Sequence, residues 1–266
     1  MVLQPLHHTL PNTTELPCSD DTPVDNEEQN LLPNLLLFLL ASLWAERMDW
    51  YFGVDMAMYH TTGANPRVPV VPDAFLSIGV ERRKTSRQGK GRLSYAVWEE
   101  NGVVPLLTLE MVSQTPGGEY DEKFKIYRQL GVLYYVVHNP NFWQRDRHQP
   151  FEVYKLVEGK YHLQIGEPYW MPEVGLGIGR AQQVIGGISQ EVLLWHDAQG
   201  HAYPMPDAEV QQMRSQLQAE RQRAETERQR AETERQRAET ERQRAEQLAE
   251  YVRSLGLDPE NLPEKS

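Results

Sequence analysis

Two acidic residues, Asp73 and Glu110, stand out in this 266-residue chain because each one lies in an apolar stretch. Asp73 interrupts the run VPVVPDAFLSI at 68–78, and Glu110 follows the run VPLLTL at 104–109. A carboxylate in an apolar segment costs free energy unless a cation or hydrogen bonds compensate its charge. Two carboxylates that converge do not both ionise without such a cation. Mg²⁺ or Mn²⁺ would meet this need, since hard cations prefer oxygen ligands.

Two further groups close to Glu110 in the sequence could complete such a site. The main-chain carbonyl of Met111 would be another oxygen ligand, and Lys123 would supply a positive charge for a phosphate or an attacking water. A metal ion, an ordered water and a lysine are the groups needed to hydrolyse a phosphodiester. Each residue also has an ordinary structural interpretation. Asp73 follows a proline and could begin a turn, while Glu110 could simply pair with a lysine.

Hydrophobic periodicity predicts the elements that would position these residues. Helices are expected at 30–47, with Pro33 in the first turn, and at 120–130, where Gly131 would be the C-cap. Strands are expected at 50–59, 68–78, 95–99, 104–109 and 132–137. Pro69 and Pro72 would push at least part of the 68–78 strand toward a sheet edge or bulge. Hairpins are expected over 151–165, around Glu158-Gly159, and over 193–204, near Gln199-Gly200. A hairpin with its tip around 88–91 lies between the strands that carry Asp73 and Glu110, so these strands could be neighbours in one sheet.

The chain divides by composition into four segments. Residues 1–29 are polar and predict a disordered leader, and residues 30–203 predict one mixed α/β domain. In residues 204–256 the sequence RQRAETE recurs from Arg221, Arg228 and Arg235, which predicts a long heptad-repeat helix or coiled coil. Its middle heptads offer alanine against glutamate, so a solvated single helix and a weakly self-associating coiled coil are equally compatible with the pattern. Gly256 would end this helix, and residues 257–266 would form a tail.

The net charge of −11, from 27 basic and 38 acidic residues, argues against a protein whose whole surface binds nucleic acid. One basic segment could still contact phosphates, although a solvated hairpin explains it equally well. This segment contains Arg82, Arg83, Lys84, Arg87, Lys90 and Arg92.

The remaining composition excludes several classes of protein and site. A single cysteine, Cys18, excludes an internal disulfide and a four-cysteine zinc site, and it fits a reducing, cytoplasmic compartment. The apolar run Leu35–Leu43 is too short to span a membrane. The sequence GLGIGR at 175–180 lacks the lysine and the strand-to-helix context of a phosphate-binding loop.

An ordered set of short sequences resembles a known family. The segments PDAF, YAVWEE, PLLTLEMVS, DEKFKIYRQLGV and YYVVHNP are similar to the Uma-type family of bacterial proteins, a domain of unknown function in the restriction-endonuclease-like PD-(D/E)XK superfamily. The resemblance spans roughly residues 50–200. It implies a mixed sheet flanked by helices, a divalent metal and nuclease activity. Asp73 would be the aspartate of the "PD" motif and Glu110 the later acidic residue, both as metal ligands.

The resemblance also assigns the lysine and exposes some departures. The superfamily commonly has lysine two residues after the second acid, where this chain has Val112. The Uma-type family instead supplies it from the following helix as lysine, three residues and tyrosine, which Lys123 and Tyr127 match better than Lys125 does. Asn139 replaces a frequent aspartate.

No upstream acidic residue of the family pattern is clearly placed in this chain. Asp55 and Glu46 are candidates for a supporting role.

Two hypotheses about function follow. In the first, the protein is a Mg²⁺-dependent endonuclease that hydrolyses DNA, with Asp73, Glu110 and Met111 at the metal and Lys123 positioning water or stabilising the transition state. Its C-terminal helix would form a homodimer and so bring two active sites together. In the alternative, the nuclease fold is a catalytically inactive scaffold, and the protein interacts with a partner through its coiled coil.

Overall fold

The structure is a computed structural model that describes residues 10–18, 27–84, 91–115 and 117–254. By its internal packing the chain divides into two units, one that ends at Tyr203 and one that begins at Pro204. No helix among the described residues is long and apolar enough to cross a membrane.

Four α-helices and eleven β-strands are present in the described part of the chain. The helices are α1 Glu27–Leu43, α2 Glu122–Leu130, α3 Trp143–Asp146 and α4 Pro206–Ser254. The strands are β1 Trp50–Val54, β2 Met58–Tyr59, β3 Ala74–Ile78, β4 Tyr95–Ala96, β5 Leu107–Met111, β6 Tyr134–His138, β7 Phe151–Val157, β8 Lys160–Leu163, β9 Tyr169–Met171, β10 Leu176–Ile185 and β11 Ile188–His196.

A six-stranded mixed sheet in the order β1-β3-β5-β6-β7-β8 forms the centre of the first unit. Its neighbouring strands are antiparallel except β5 and β6, which are parallel. A parallel pair needs a crossover connection, and α2 lies in this one. The predicted mixed α/β fold, with a central sheet and flanking helices, is confirmed.

The two faces of this sheet are covered by different elements. On one face, Tyr127 of α2 packs in a hydrophobic cluster with Phe75 and Tyr135. The other face meets α1 and a second sheet of order β11-β10-β9. There Trp195 of β11 contacts Phe52 edge-on and donates its Nε1–H to the Leu36 carbonyl at 2.9 Å. The second face therefore joins three elements that are far apart in sequence.

The prediction of a strand over 68–78 is wrong for residues 68–73, because β3 begins only at Ala74. Pro69 and Pro72 have no N–H to donate to a ladder, so Val70 keeps only an isolated bridge to Met58. The strand predicted over 50–59 is likewise divided into β1 and β2. Asp55 interrupts it with a φ of 47°, a left-handed conformation that no regular strand contains.

Three other elements differ from the prediction. Helix α1 begins at Glu27 rather than at 30, which places Pro33 inside the helix instead of in its first turn. The predicted strand 95–99 is a two-residue strand followed by a 3₁₀ turn at Val97–Glu99. The predicted turn at Gly200 is present, but the larger hairpin that precedes it, β10–β11, was not predicted.

Part of the predicted disordered leader is packed. Residues 10–18 pack against the rest of the first unit. The Pro11 carbonyl accepts from Trp98 Nε1 at 3.0 Å, and the Pro17 carbonyl accepts from the Tyr59 hydroxyl at 2.9 Å. Leu16 is buried in the same region. The apolar residues of this stretch, LPNTTELPC, follow no regular spacing, so hydrophobic periodicity does not predict that it packs.

The second unit contains one helix, α4, as the heptad pattern predicts. Nearly all of its described side chains between 222 and 254 are exposed. Arg242 and Glu246 form an i,i+4 ion pair at 3.0 Å, which supports the helix by a few tenths of a kcal/mol. Self-association of α4 stays a prediction, and the predicted helix end at Gly256 lies outside the described residues.

Candidate active site

Glu110 is a carboxylate buried in the centre of the fold. It is the penultimate residue of β5, its exposed fraction is 0%, and its side chain faces α2. Lys123 Nζ lies 2.8 Å from Glu110 Oε2, and the Tyr127 hydroxyl donates to Glu110 Oε1 at 2.5 Å. Lys123 and Tyr127 can both reach it because residues i and i+4 of a helix share one face. Helix α2 thus supplies both donors to one acid.

Asp73 reaches the same end of β5 from the neighbouring strand. It immediately precedes β3, and the antiparallel register pairs Ala74 with Leu109. Asp73 Oδ2 accepts a hydrogen bond from the backbone N–H of Met111 at 2.6 Å. The backbone pairing of β3 with β5 stops at Ala74, so this side chain takes the place of the next backbone acceptor. The Met111 carbonyl is directed toward the same side of β5, because N–H and C=O of one strand residue point alike.

The electrostatics of the two acids favour a cation between them. Burial and then the charge of Glu110 raise the pKa of Asp73 well above its usual range, against the opposing effects of Lys123 and the Met111 N–H. Burial also raises the pKa of Glu110, although Lys123 and Tyr127 favour its charged form. An additional positive charge would let both carboxylates ionise.

Lys123 is held in its charged form. Burial by itself lowers the pKa of an ammonium group, but the Glu110 carboxylate outweighs this effect and raises the pKa of Lys123 above its usual value. Its Nζ also donates to the Val71 carbonyl at 3.1 Å. Lys123 is therefore a hydrogen-bond donor and a positive charge at this site, and it is not available as a base.

The donor atoms at this site fit a hard divalent cation. Asp73, Glu110 and the Met111 carbonyl offer only oxygen atoms, which Mg²⁺ and Mn²⁺ prefer. A carboxylate has about four lone-pair positions, so the bonds from Lys123 and Tyr127 leave Glu110 able to bind an ion. Among the described residues no group of three or more His, Cys, Asp or Glu side chains converges on one point. Any cation here would thus depend on two side chains and a carbonyl.

The structure brings together the four residues that the sequence analysis selected: Asp73, Glu110, Met111 and Lys123. It also explains why the lysine comes from α2. Val112 lies in the same hydrophobic cluster as Tyr127, so a lysine there would place its stem among apolar side chains. Lys125 is exposed, as its two-residue offset predicts.

The two suggested supporting residues differ in how near they lie to this group, and their role stays a prediction. Glu46 follows the C-terminal end of α1, about 20 Å along the helix from the end that approaches Met111. Asp55 has an exposed side chain and donates its backbone N–H to the Asp73 carbonyl at 3.1 Å.

Asn139 has a structural role elsewhere. It is buried, its side-chain amide lies 3.0 Å from Asp146 Oδ2, and its Oδ1 accepts from the Phe142 N–H.

Gln29 is a nearby residue that the sequence analysis missed. It lies in the first turn of α1, and its Nε2 is 3.4 Å from the Met111 carbonyl oxygen. Residue 29 belongs to the predicted leader because polar residues precede the apolar run. A polar sequence such as NEEQN directly before an amphipathic helix is also typical of a helix N-terminus, which was the available signal.

Most of the described basic segment is already engaged within the protein. Glu100 is buried and forms ion pairs with Arg92 at 2.9 Å and Lys84 at 3.1 Å. Arg82 stacks over the Trp50 ring at 3.7 Å. Arg87 and Lys90 lie outside the described residues. The segment therefore has a clear structural use, which the sequence pattern did not indicate because Glu100 lies after it.

The chain matches one family model over most of the first unit. A family model named Uma2 and described as "Putative restriction endonuclease" matches residues 21–184. The matched region covers more than half of the chain. The chain belongs to the Uma2 family. In this Uma2 protein the match contains Gln29, Asp73, Glu110, Met111 and Lys123, and the family description indicates a nuclease-like fold. No curated protein and no solved structure matches the chain.

Proposed function

We propose that this Uma2 protein is a divalent-metal-dependent endonuclease that hydrolyses phosphodiester bonds of DNA. The observation that carries the proposal is the meeting of Asp73 and Glu110 beside the Met111 carbonyl, at the end of two adjacent strands. These three groups would hold Mg²⁺ or Mn²⁺. When bound, such an ion polarises a phosphoryl oxygen and stabilises the charge that builds on it.

The other side chains have defined tasks in this proposal. Hydrolysis forms a bond between a water oxygen and phosphorus and breaks the bond to the leaving oxygen. Lys123, charged and fixed by Glu110 and the Val71 carbonyl, would orient the water or stabilise the phosphate charge. Tyr127 is a positioning residue, since its hydroxyl bonds one oxygen of Glu110 and so fixes the orientation of the carboxylate.

The proposal includes a homodimer formed through α4. Duplex DNA has two strands, so two active sites would cleave both. The apolar residues near the two ends of the heptad region, such as Leu217 and Leu248, are exposed in the single chain and could pack between copies.

One observation favours the inactive scaffold as a second candidate. Both oxygens of Glu110 already accept a strong hydrogen bond, one from Lys123 and one from Tyr127. A lysine–glutamate–tyrosine group of this kind would also stabilise a fold that binds no metal. The protein would then act through α4.

Cleavage of supercoiled plasmid in Mg²⁺ or Mn²⁺ tests the proposal. Wild type should nick the plasmid, and Glu110→Gln and Lys123→Ala should each reduce the rate by about 100-fold or more. Lys125→Ala is the matched control, because Lys125 is an exposed lysine of the same helix, and it should keep the wild-type rate. Equal nicking by all four proteins would contradict the assignment of the site. Failure of wild type on both duplex and single-stranded DNA would favour the scaffold.

A further inference from the structure

The connection between β5 and α2, residues 112–121, joins the two halves of the candidate site. Glu110 and the Met111 carbonyl lie directly before it, and Lys123 follows it in the first turn of α2. The backbone N–H of Lys123 donates to the Gly118 carbonyl at 3.0 Å, so the start of the helix depends on the path of this connection. A movement of the connection would therefore shift Lys123 relative to Glu110.

The middle of this connection is flexible by composition. Gly117 and Gly118 are consecutive glycines, and Gly118 has a φ of 82°. Glycine has access to more backbone conformations than any other residue, so a segment of this kind is ordered mainly by its contacts. Contacts with neighbouring elements thus decide how firmly the connection places Lys123.

Arg145 contacts the first half of the connection. It lies in α3, between β6 and β7, and its Nη1 donates to the Gln114 carbonyl at 2.8 Å. The same guanidinium pairs with Asp146, through Nε at 2.7 Å and Nη2 at 2.9 Å. A guanidinium carries its donors on a rigid planar fork, so the pair with Asp146 fixes the direction in which Nη1 points.

Asp146 also leads to the second half of the connection. Its Oδ2 accepts from Asn139 Nδ2 at 3.0 Å, and the same amide group donates to the Tyr120 hydroxyl oxygen at 3.2 Å. Hydrogen bonds therefore run without a gap from Gln114 to Tyr120 and join the two halves of the connection. We call Arg145, Asp146 and Asn139 the clamp.

The clamp is anchored to the edge of the central sheet. Asn139 directly follows β6, is buried, and donates its backbone N–H to the Pro150 carbonyl at 2.8 Å. Strand β6 runs parallel to β5, and its last residue, His138, lies opposite Met111. The clamp thus ties the connection to the sheet edge at which Asp73 and Glu110 meet.

We propose that Arg145 is a positioning residue for Lys123: through the clamp it fixes the connection and so keeps the lysine ammonium in place beside Glu110. This inference rests on the proposed nuclease function, because the position of Lys123 affects a rate only if Lys123 acts on water or phosphate. It adds a residue that contacts none of the proposed metal ligands.

The first test compares Arg145→Ala with wild type in the nicking of supercoiled plasmid. Arg145 is exposed, so its replacement should leave the fold intact. The kcat should fall about 10- to 100-fold, because a displacement of about 1 Å can cost this much. KM and the affinity for Mn²⁺ should stay as in wild type, since the metal ligands precede the connection. An equal loss of Mn²⁺ affinity would mean that the whole site is disturbed, and it would overturn the inference.

Two further variants separate the clamp from a general effect of charge. Arg147→Ala removes an exposed arginine from the same β6–β7 connection and should keep the wild-type rate. Arg145→Lys keeps the charge but loses the fork that reaches both Gln114 and Asp146, so its kcat should fall as in Arg145→Ala. A wild-type rate in Arg145→Lys would show that only the charge matters, which contradicts a clamp.

A double-mutant cycle tests whether Arg145 acts through Lys123. If it does, adding Arg145→Ala to Lys123→Ala should lower the remaining rate by about twofold or less, because the group that Arg145 positions is already absent. A loss as large as the one that Arg145→Ala causes alone would show that Arg145 acts elsewhere, and the inference would be wrong.

Hydrogen exchange separates this inference from the proposed function, because it needs no activity. Backbone amides of residues 112–123 should exchange faster in Arg145→Ala than in wild type, whereas those of β10 and β11 should not change. Unchanged exchange at 112–123 would overturn the inference even if wild type nicks DNA. If wild type nicks no DNA, the proposed function is wrong, and faster exchange would still support the clamp.

Discussion

At the scale of single residues, Glu110 shows how this fold accommodates a buried carboxyl group. Two donors from one turn of α2 bond its two oxygens, and a second acid, Asp73, bonds the adjacent backbone N–H. The acids remain close enough for Glu110 to raise the pKa of Asp73. A divalent cation would remove this residual repulsion, so the metal binding that we propose would also favour the ionised form of both acids.

Gln29 provides a prediction at this scale. Replacing it with glutamate adds a third carboxylate beside the Met111 carbonyl, and ligand charge is a main determinant of affinity for hard cations. Gln29→Glu should therefore bind Mn²⁺ about tenfold more tightly in a calorimetric titration.

The matched control for Gln29→Glu is Asn34→Asp, a similar change further along α1, which should leave Mn²⁺ affinity as it is. An unchanged affinity in Gln29→Glu would mean that the first turn of α1 does not approach the ion.

At the scale of elements, the pairing of β3 with β5 and the packing of α2 create the site. The sequence predicts most of this arrangement, because apolar runs mark β5 and β6 and Gly131 ends α2, where its φ of 85° requires glycine. The two prolines indicate an edge or bulge within 68–78, but they do not predict that the strand begins only after Asp73. Nor does the sequence place Gln29 at Met111, a contact across 82 residues that only tertiary packing determines.

Glu100, which follows the 3₁₀ turn at Val97–Glu99, allows a prediction about stability. The Arg92 side chain is only 2% exposed, and its guanidinium pairs with Glu100. Glu100→Ala would therefore leave a buried positive charge without its carboxylate. The free energy of unfolding should fall by about 3–5 kcal/mol, measured by urea denaturation.

Glu81→Ala serves as the comparison for Glu100→Ala, because Glu81 is an exposed acid and its removal should change stability by about 0.5 kcal/mol or less. A similarly small change in Glu100→Ala would show that the Arg92 pair contributes little. The basic segment would then be free for another role.

At the scale of the whole molecule, the two units differ in how well the sequence determines them. The period of seven in α4 predicts its helix directly, because helix formation is local. Whether copies of α4 associate depends on alanine and glutamate positions that stabilise neither state strongly. The first unit shows the opposite case: its residues 10–18 are packed although their local sequence predicts disorder.

Sedimentation equilibrium tests the dimer that we propose. Wild type should sediment as a dimer at micromolar concentration. Replacing Ala224, Ala231, Ala238 and Ala245 with leucine should strengthen association, because these residues occupy one heptad position and leucine buries more apolar surface. A wild-type monomer at that concentration would exclude a dimer that cleaves both strands, and a monomer in the leucine variant would exclude the assigned heptad face.

The most direct test of the central claim is a calorimetric titration of the full chain with Mn²⁺. The claim is that Asp73 and Glu110 together bind one divalent cation. Wild type should bind one Mn²⁺, and Asp73→Asn and Glu110→Gln should each bind it at least about tenfold more weakly. Asp146→Asn is the control and should bind Mn²⁺ as wild type does, because Asp146 contacts Asn139 and Arg145 instead. Equal Mn²⁺ binding in all four proteins, or none in wild type, would contradict the claim.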